Sequence, residues 1–309
     1  MFSNQAICLL SYLAFLGVSA RDVPANVQSF YAALKSGGAC SNPLETGFFS
    51  SEGGPNTYSY CGDHLADYGI VYLKGAGSAF VNMDIDCDGA QGGPADDGRC
   101  KNSDDTQSTT SFKDTVAGYG KGISDVNANV HPYVVFGNAG SKPGWKTFSP
   151  QQYGIEPLSV MAVVCGNQLI YGVWADENGD DDPNPMVGEA SISLATACYG
   201  TDISGDSGHD EDDVLYIAFT GANAVPGASG ADWAAGNYAA FESSIETLGN
   251  SLISRIGGGG SGSRENKNGG TASGSCEWEG HCAGATCSSH DDCSDVLVCL
   301  NDVCSTSEE

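Results

Sequence analysis

Basic residues are scarce in this chain: twelve Lys and Arg stand against thirty-nine Asp and Glu, a formal net charge of −27 at pH 7. A chain this acidic is repelled by phosphate backbones and by anionic lipid surfaces, which argues against nucleic acids and membranes as partners. Two interpretations of the charge remain. It keeps the protein soluble in an acidic medium, or it attracts a polycationic substrate.

Motifs for metal and redox chemistry are absent as well. None of the thirteen cysteines forms a CxxC pair, so zinc binding and thioredoxin chemistry are poor interpretations and disulfide bonds are a good one. Neither HExxH nor GxSxG occurs. No apolar run reaches the roughly 18 residues that a membrane-spanning helix needs.

Residues 1–20 have the pattern of a secretory signal peptide, because Ala6–Val18 is apolar and Val18-Ser19-Ala20 is an acceptable cleavage site. Its removal takes away Cys8 and leaves twelve cysteines, six in the body and six in the tail. We therefore expect a secreted, extracellular protein whose cysteines form disulfides, with a connectivity that spacing does not reveal.

The body, residues 21–256, is predicted to be mainly β with flanking helices. Apolar residues at helical spacing predict one helix around Val27–Leu34 and another over Phe241–Ile256. Short strands separated by turn residues favour a barrel or a sandwich over a parallel α/β sheet, and a β-barrel-like catalytic domain of the double-psi type is one such fold. The predicted strands are Gly69–Leu73, Ala79–Ile85, Tyr133–Phe136, Ser159–Val164, Gln168–Ala175 and Val214–Thr220.

The tail has two parts of different composition. Residues 257–275 are rich in Gly and Ser and predict a flexible linker. Residues 276–309 hold six cysteines, which predicts a small disulfide-rich C-terminal module. This module is either a carbohydrate-binding unit that raises the local concentration of a polymer or an inert appendage.

Two carboxylates frame the loop that follows the strand Gln168–Ala175. Asp176 lies where that strand ends, and Glu189 lies in an apolar segment just past the loop. Two carboxylates that face each other across a cleft are the minimum for glycoside hydrolysis. The alternative is that Glu189 caps a helix near Gly188 and Asp176 belongs to a solvated turn.

The stretches around these carboxylates are similar to one known family. The fungal endo-chitosanases of glycoside hydrolase family 75 resemble this chain at Val163–Gly179, Met186–Gly200, Met83–Gly89, His131–Gly137 and Val214–Gly227, within a likeness from about Ser29 to Ile256. This resemblance implies hydrolysis of the β-1,4 links between glucosamine units of chitosan, a polycation when protonated. It also implies that Asp176 and Glu189 are the catalytic pair and that the reaction inverts the anomeric carbon.

The two carboxylates need different protonation states, one acid and one base. Apolar surroundings raise the pKa of a carboxyl group and suit the acid. Glu189 has apolar sequence neighbours whereas Asp176 opens onto an acidic loop, so we assign Glu189 as the acid and Asp176 as the base. Trp174 precedes Asp176 by two residues, which places both on one side of a strand and suggests that Trp174 stacks on a sugar.

The segment Asp84-Ile-Asp-Cys-Asp-Gly89 begins like a calcium loop, but Ala95 stands where an EF-hand requires Glu. We interpret Asp84, Asp86 and Asp88 as contacts for substrate ammonium groups. Structural aspartates at a strand end and a different calcium site are the alternatives. Neither a metal nor a cofactor is expected.

Gly205-Asp-Ser-Gly208 resembles the nucleophile motif of trypsin-like proteases, but its histidine context is missing, so Asp202–Asp213 is predicted to be an acidic surface loop. The function predicted overall is a monomeric endo-chitosanase. A non-catalytic polysaccharide-binding wall protein on the same scaffold is the alternative, and retention of both carboxylates favours the enzyme.

Overall fold

The computed structural model of the chain describes residues 21–103, 106–180, 183–257, 297–300 and 303–306. These residues belong to two units, which divide between Gly262 and Ser263. The predicted signal peptide, nearly all of the predicted linker and most of the predicted six-cysteine module lie outside the described residues.

Four helices of the first unit flank its strands: α1 (Ala25–Gly37), α2 (Lys113–Gly118), α3 (Ile192–Tyr199) and α4 (Tyr238–Ile253). Helix α1 buries Val27 and Phe30 and ends at Gly38, whose φ of 84° suits glycine. Helix α4 begins at Asn237, whose side chain accepts a hydrogen bond from the Ala240 amide. Both predicted helices are confirmed, whereas α2 and α3 were not predicted.

All six predicted strands are present, and the first unit has four further strands that were not predicted. The strands of the first unit are β1 (Arg21–Asp22), β2 (Pro43–Phe48), β3 (Tyr58–Cys61), β4 (Ile70–Lys74), β5 (Val81–Asp86), β6 (Tyr133–Asn138), β7 (Val160–Cys165), β8 (Gln168–Asn178), β9 (Glu189–Ser191) and β10 (His209–Phe219). The added strands β1, β2, β3 and β9 are short or lack an apolar run, so periodicity does not detect them.

The strands pair in the order β1-β8-β6-β9-β5-β10-β4-β3-β2, and β7 pairs with both β10 and β8. Strands β8, β6, β9, β5, β10 and β7 are therefore linked in a closed circuit of pairings. Most pairs are antiparallel, but β6 is parallel to β8 and β5 is parallel to β9. The prediction of a mainly β fold with flanking helices is confirmed.

The acidic loop predicted over Asp202–Asp213 is wrong in its second half. His209–Asp213 forms the start of β10, and His209 pairs with Met83 of β5. The pairing partner supplies the hydrogen bonds of this segment although its side chains are charged, so tertiary context overrides the composition.

Two hydrophobic clusters occupy the two faces of the sheet. Alternate residues of β8 divide between them, with Tyr171 and Val173 in one cluster and Ile170 and Trp174 in the other. Helix α4 contributes Phe241 and Ile245 to the first cluster.

Three disulfides link the six cysteines of the body: Cys40–Cys61, Cys87–Cys100 and Cys165–Cys198. The expectation that these cysteines pair is confirmed. Cys87–Cys100 follows β5 directly and ties down the segment that carries Asp86 and Asp88.

In the second unit the structure describes one antiparallel hairpin, β11 (Leu297–Leu300) with β12 (Val303–Thr306), in which Cys299 lies opposite Cys304. Across the described residues of both units, every helix falls short of the length and apolarity that crossing a membrane requires.

Candidate active site

The two predicted catalytic carboxylates lie on strands that flank the same residue of β6. Val135 pairs with Asp176 of β8 on one side and with Glu189 of β9 on the other. Residues directly opposite in a sheet share a face, and neighbouring strands lie about 4.8 Å apart. Asp176 and Glu189 therefore project from one face, with their Cα atoms on the order of 10 Å apart by two strand spacings.

A β-bulge in β8 aims Asp176 at this face. Val134 pairs with Trp174 but Val135 pairs with Asp176, so Ala175 is an extra residue in β8. The strict alternation that placed Trp174 and Asp176 on one side therefore fails. Trp174 is 0% exposed, packs edge-on against Phe112 and donates from Nε1 to the Asp176 carbonyl. The prediction that Trp174 stacks on a sugar is wrong, because its ring lies in the core.

The carboxyl group of Asp176 is buried, with 6% of the residue exposed. Its Oδ1 accepts hydrogen bonds from the Ser111 amide at 2.9 Å, the Ser111 hydroxyl at 2.5 Å and the Glu177 amide at 2.8 Å. Burial raises the pKa of Asp176 to about 6 against the opposing effect of these donors. Because Oδ1 accepts three hydrogen bonds, a proton on Asp176 is carried by Oδ2.

Glu189 opens β9 and is more exposed than Asp176. Asn178 donates from Nδ2 to Glu189 Oε1 at 3.3 Å and to the Met186 carbonyl at 3.0 Å, which orients the carboxylate. The alternative role of Glu189 as a helix cap is not observed, because Ser191 is the N-cap residue of α3. The expectation that Glu189 is more enclosed than Asp176 is wrong, because sequence neighbours do not report which strands cover a side chain.

Asp86 and Asp88 reach the same place from the end of β5. Asp86 Oδ1 accepts from the Tyr133 hydroxyl at 2.9 Å and from the Asp88 amide at 2.6 Å, and Asp88 Oδ1 accepts from the Gln107 amide at 2.5 Å. One oxygen from each of Asp86, Asp88 and Asp176 lies within 4.8 Å of the others. Burial, followed by the charges of Asp176 and Asp88, raises the pKa of Asp86 well above its usual range.

Three carboxylates at this spacing are able to hold either a cation or a shared proton. Asp86, Asp88 and Asp176 each already accept a hydrogen bond from a protein donor. The raised pKa values of Asp86 and Asp176 show that the surroundings favour the protonated form. The three carboxylates are therefore placed to share a proton.

A cavity of about 50 Å³ opens between these groups. It is lined by Ile85, Asp86, Cys87, Asp88, Ser103, Gln107, Val135, Asp176, Glu177, Asn178, Gly179 and Glu189. A water needs roughly 10–15 Å³ of such space and a few polar partners, so this pocket, which we call the catalytic pocket, has room for water beside the carboxyl groups. It brings together Asp86, Asp88, Asp176 and Glu189.

Asp84 is the predicted substrate contact that is missing from the pocket lining. It pairs with Glu189 across the parallel β5–β9 ladder, but its side chain is exposed and does not line the catalytic pocket. Its role in binding substrate stays a prediction, as does that of Asp86 and Asp88.

Sequence reasoning missed several residues of the site. Ser111 and Tyr133 donate to the carboxylates, Asn178 orients Glu189, and Glu177 lines the pocket with a pKa raised to about 7 by burial and by the charge of Asp176. Glu177 and Asn178 follow Asp176 directly, which is the one signal that was available. Ser111 lies in a polar stretch without any motif.

A family model described as fungal chitosanase of glycosyl hydrolase group 75 matches residues 83–255, which include all the carboxylates of the pocket. The chain belongs to this family. Its members are glycoside hydrolases, in agreement with the paired carboxylates at the end of β8 and the start of β9.

Curated relatives extend the similarity of this family member over most of the chain. An endo-chitosanase of Aspergillus oryzae is 45% identical over 246 residues, 78% of this chain and 94% of that protein. An endo-chitosanase of Aspergillus fumigatus is 44% identical over 250 residues, 80% of this chain and 97% of that protein. Endo-chitosanase B of Aspergillus oryzae is 42% identical over 252 residues, again 80% and 97%.

Proposed function

We propose that the protein is a secreted endo-chitosanase that hydrolyses β-1,4 links between glucosamine units within the chitosan chain. The observation that carries this proposal is the placement of Asp176 and Glu189 on either side of Val135, facing one water-sized pocket. Relatives named endo-chitosanase align over nearly their full length and support the substrate. Three disulfides and the predicted signal peptide support export to an oxidising space.

The reaction we infer is a single displacement with inversion. An inverting glycosidase holds its carboxyl groups about 6.5–9.5 Å apart to leave room for a water, whereas a retaining one needs about 5–5.5 Å. Two strand spacings between the Cα atoms of Asp176 and Glu189, together with a pocket of about 50 Å³, support the wider arrangement.

The roles we infer reverse the assignment made from sequence neighbours. Asp176 is the buried carboxyl with a pKa raised to about 6, so it holds a proton at mildly acidic pH and serves as the acid. Glu189, which is more exposed and oriented by Asn178, serves as the base.

In the proposed step, one proton moves at each of the two carboxyl groups. Asp176 gives the proton on Oδ2 to the glycosidic oxygen as the bond between C1 and that oxygen breaks. Glu189 takes a proton from the water whose oxygen bonds to C1 from the opposite side. Asp176 ends ionised and Glu189 ends protonated, and exchange with solvent restores both.

The fold that supports this site is proposed to be the barrel expected from sequence. Strands β8, β6, β9, β5, β10 and β7 pair in a closed circuit, which is the connectivity that a six-stranded barrel requires. The two parallel pairs, β6 with β8 and β5 with β9, are compatible with a double-psi arrangement.

The proposed function is tested by incubating the protein with soluble chitosan while viscosity and reducing ends are followed. An endo-acting enzyme lowers the viscosity well before reducing ends accumulate. NMR of the first-formed anomer should show the α form, and a β product from the β-linked polymer contradicts inversion. Binding without new reducing ends would instead support the non-catalytic polysaccharide-binding protein.

A further inference from the structure

A second cavity adjoins the catalytic pocket and shares Glu177 with it. Its volume is about 530 Å³, within the range of roughly 300–1,000 Å³ that small-molecule sites occupy. It is lined by Leu44, Glu45, Asn138, Ala139, Gly140, Thr147, Phe148, Ser149, Gln151, Gln152, Tyr153 and Glu177. We call it the side cavity. Its volume is large enough for a sugar unit.

The carboxylate of Glu177 lacks a protein partner among the described residues. Its backbone amide is fixed by donation to Asp176 Oδ1 at 2.8 Å and to the Ser111 hydroxyl at 3.2 Å. Within the part of the chain that the structure describes, its side chain accepts no hydrogen bond and forms no ion pair. A half-buried carboxylate in this state is stabilised by a cation that arrives from outside.

The backbone of β6 makes room for this carboxylate. Val135 pairs with Asp176 and Asn138 pairs with Asn178, so β6 has one residue more than β8 in this interval. Gly137 lies in the interval with a φ of +112°, and a Cβ there would be 2.9 Å from Glu177 Oε1. The chain therefore holds Glu177 in place through a bulge and a glycine, with no donor to its oxygens.

The other carboxylate of the side cavity is already neutralised. Glu45 Oε1 lies 3.0 Å from Lys146 Nζ. Glu177 is thus the acidic group of this cavity that is available to an ammonium ion, whose positive charge counteracts the raised pKa of Glu177 and favours the carboxylate on binding.

An aromatic ring lies in the same cavity. Tyr153 is half-buried and stacks on Phe148 at 5.3 Å between ring centroids, and Phe148 stacks on Tyr60 at 3.8 Å. Because Tyr153 is the outermost ring of this stack, it offers apolar surface on which a pyranose ring can pack. Gln151 and Gln152, both exposed, supply amides for sugar hydroxyl groups.

We propose that the side cavity is a glucosamine-selective subsite next to the bond that is cleaved, in which Tyr153 packs on the sugar ring and Glu177 binds its C2 ammonium group. The proposal rests on the proposed function and deepens it. Glu177 then favours deacetylated units, because an acetylated nitrogen carries no charge and leaves the half-buried Glu177 carboxylate without a cation.

The test compares wild type with Glu177→Gln on fully deacetylated and on partially acetylated chitosan oligomers. Loss of a charge-assisted hydrogen bond should raise KM on deacetylated oligomers by about ten- to a hundred-fold with kcat within about threefold. Preference for deacetylated over acetylated substrate should fall by a similar factor. Glu156→Gln is the matched control, since Glu156 is exposed and lines neither cavity.

Binding is measured separately from catalysis. Calorimetry with glucosamine oligomers on Glu189→Gln and on Glu189→Gln/Glu177→Gln should show weaker binding for the double variant. Equal affinities of the two variants would overturn the proposed subsite. Inactivity of the wild type on chitosan would refute the proposed function but not the subsite, because the binding measurement does not depend on activity. A loss of kcat beyond about a hundredfold in Glu177→Gln, with KM unchanged, overturns the subsite and moves Glu177 into the catalytic pair.

Discussion

The two cavities that meet at Glu177 differ in what surrounds their acidic side chains. In the catalytic pocket, Asp86, Asp88 and Asp176 each accept hydrogen bonds from protein donors. In the side cavity, Glu177 has no such donor among the described residues. Protein donors fix the position of a carboxylate and determine which oxygen carries a proton, whereas a carboxylate without them is left to a ligand.

The two cavities also differ in volume. The catalytic pocket has a volume of about 50 Å³ between five carboxyl groups, with room for water, whereas the side cavity has about 530 Å³ beside an aromatic ring, with room for a sugar. In the two proposals, proton transfer and substrate selection are assigned to neighbouring side chains with different surroundings. Variants at the two places should therefore have different kinetic effects.

The largest effect is expected from the catalytic pair. Asp176→Asn and Glu189→Gln should each lower kcat on chitosan by about 10²–10⁴-fold, the contribution of a positioned acid or base, with little change in KM. The rate of reducing-end formation measures this. A variant that keeps more than about a tenth of the wild-type rate would show that its residue is not catalytic.

The next effect concerns the electrostatic coupling between Asp86 and Asp176. The titratable groups that face Asp86 are Asp88, Asp176, Glu189 and the Tyr133 hydroxyl. Two coupled carboxyls hold one proton to a higher pH than either does alone. Asp86→Asn should therefore move the alkaline limb of the kcat/KM profile to lower pH by about one unit.

The control for Asp86 is Tyr133→Phe, which removes one donor from Asp86 Oδ1 and keeps both carboxyl groups. Without this donor the ionised form of Asp86 loses a partner, so the pair should hold its proton at least as tightly. Its alkaline limb should not move to lower pH. A profile that stays at the wild-type position in Asp86→Asn would refute the coupling.

The pH dependence of the free energy of unfolding provides a further test of the raised pKa of Asp176. An unfolded Asp titrates near 3.9, and burial raises the pKa of native Asp176 to about 6. Between these values the native state binds the additional proton, so this group's stabilising contribution is present below about pH 4 and is lost as the pH rises through about 6.

Asp176→Asn lacks this dependence. Relative to wild type, the variant should gain free energy of unfolding on the order of 3 kcal/mol between about pH 4 and pH 7. Denaturant unfolding of both proteins at the two pH values measures the difference. A variant that loses stability relative to wild type over this interval would contradict the raised pKa.

The sequence predicts the long elements of this fold and only part of its site. Strand β8 is detectable because Gln168–Ala175 is an apolar run, and the motif around Asp84 marks the end of β5. Strand β9 has three residues, too few for any periodicity, yet its insertion between β6 and β5 is what brings Glu189 to the pocket. The relation between the carboxylates depends on this strand order, which local sequence does not encode.

The sequence also does not reveal which side chains of the site are buried. Asp176 precedes an acidic loop but is covered by Ser111 and by its neighbours in the sheet, so it is buried where composition indicates exposure to water. The extra residue Ala175 turns Trp174 into the core and Asp176 into the pocket. Bulges of this kind reorient one side chain without altering the hydrophobic pattern that predicts the strand.

The smallest effect is expected from the charge of the whole body, where residues 21–256 carry ten Lys and Arg against thirty Asp and Glu. A protonated glucosamine polymer is attracted to this surface over long distances, and salt screens such attraction beyond about 10 Å at 0.1 M. We expect kcat/KM on highly deacetylated chitosan to fall by roughly tenfold or less as salt rises, because steering changes the rate at which enzyme and polymer meet rather than the chemical step.

The proposed close contact at Glu177 is partly buried, so salt should screen it less than it screens the long-range attraction. The selectivity ratio between deacetylated and partially acetylated oligomers should therefore persist at high salt in wild type and be absent in Glu177→Gln. A salt series at fixed pH, with cellulose as the neutral control, measures both quantities. If the ratio disappears with salt in wild type, long-range charge rather than the side cavity selects the substrate, and comparable cleavage of cellulose would show that neither does.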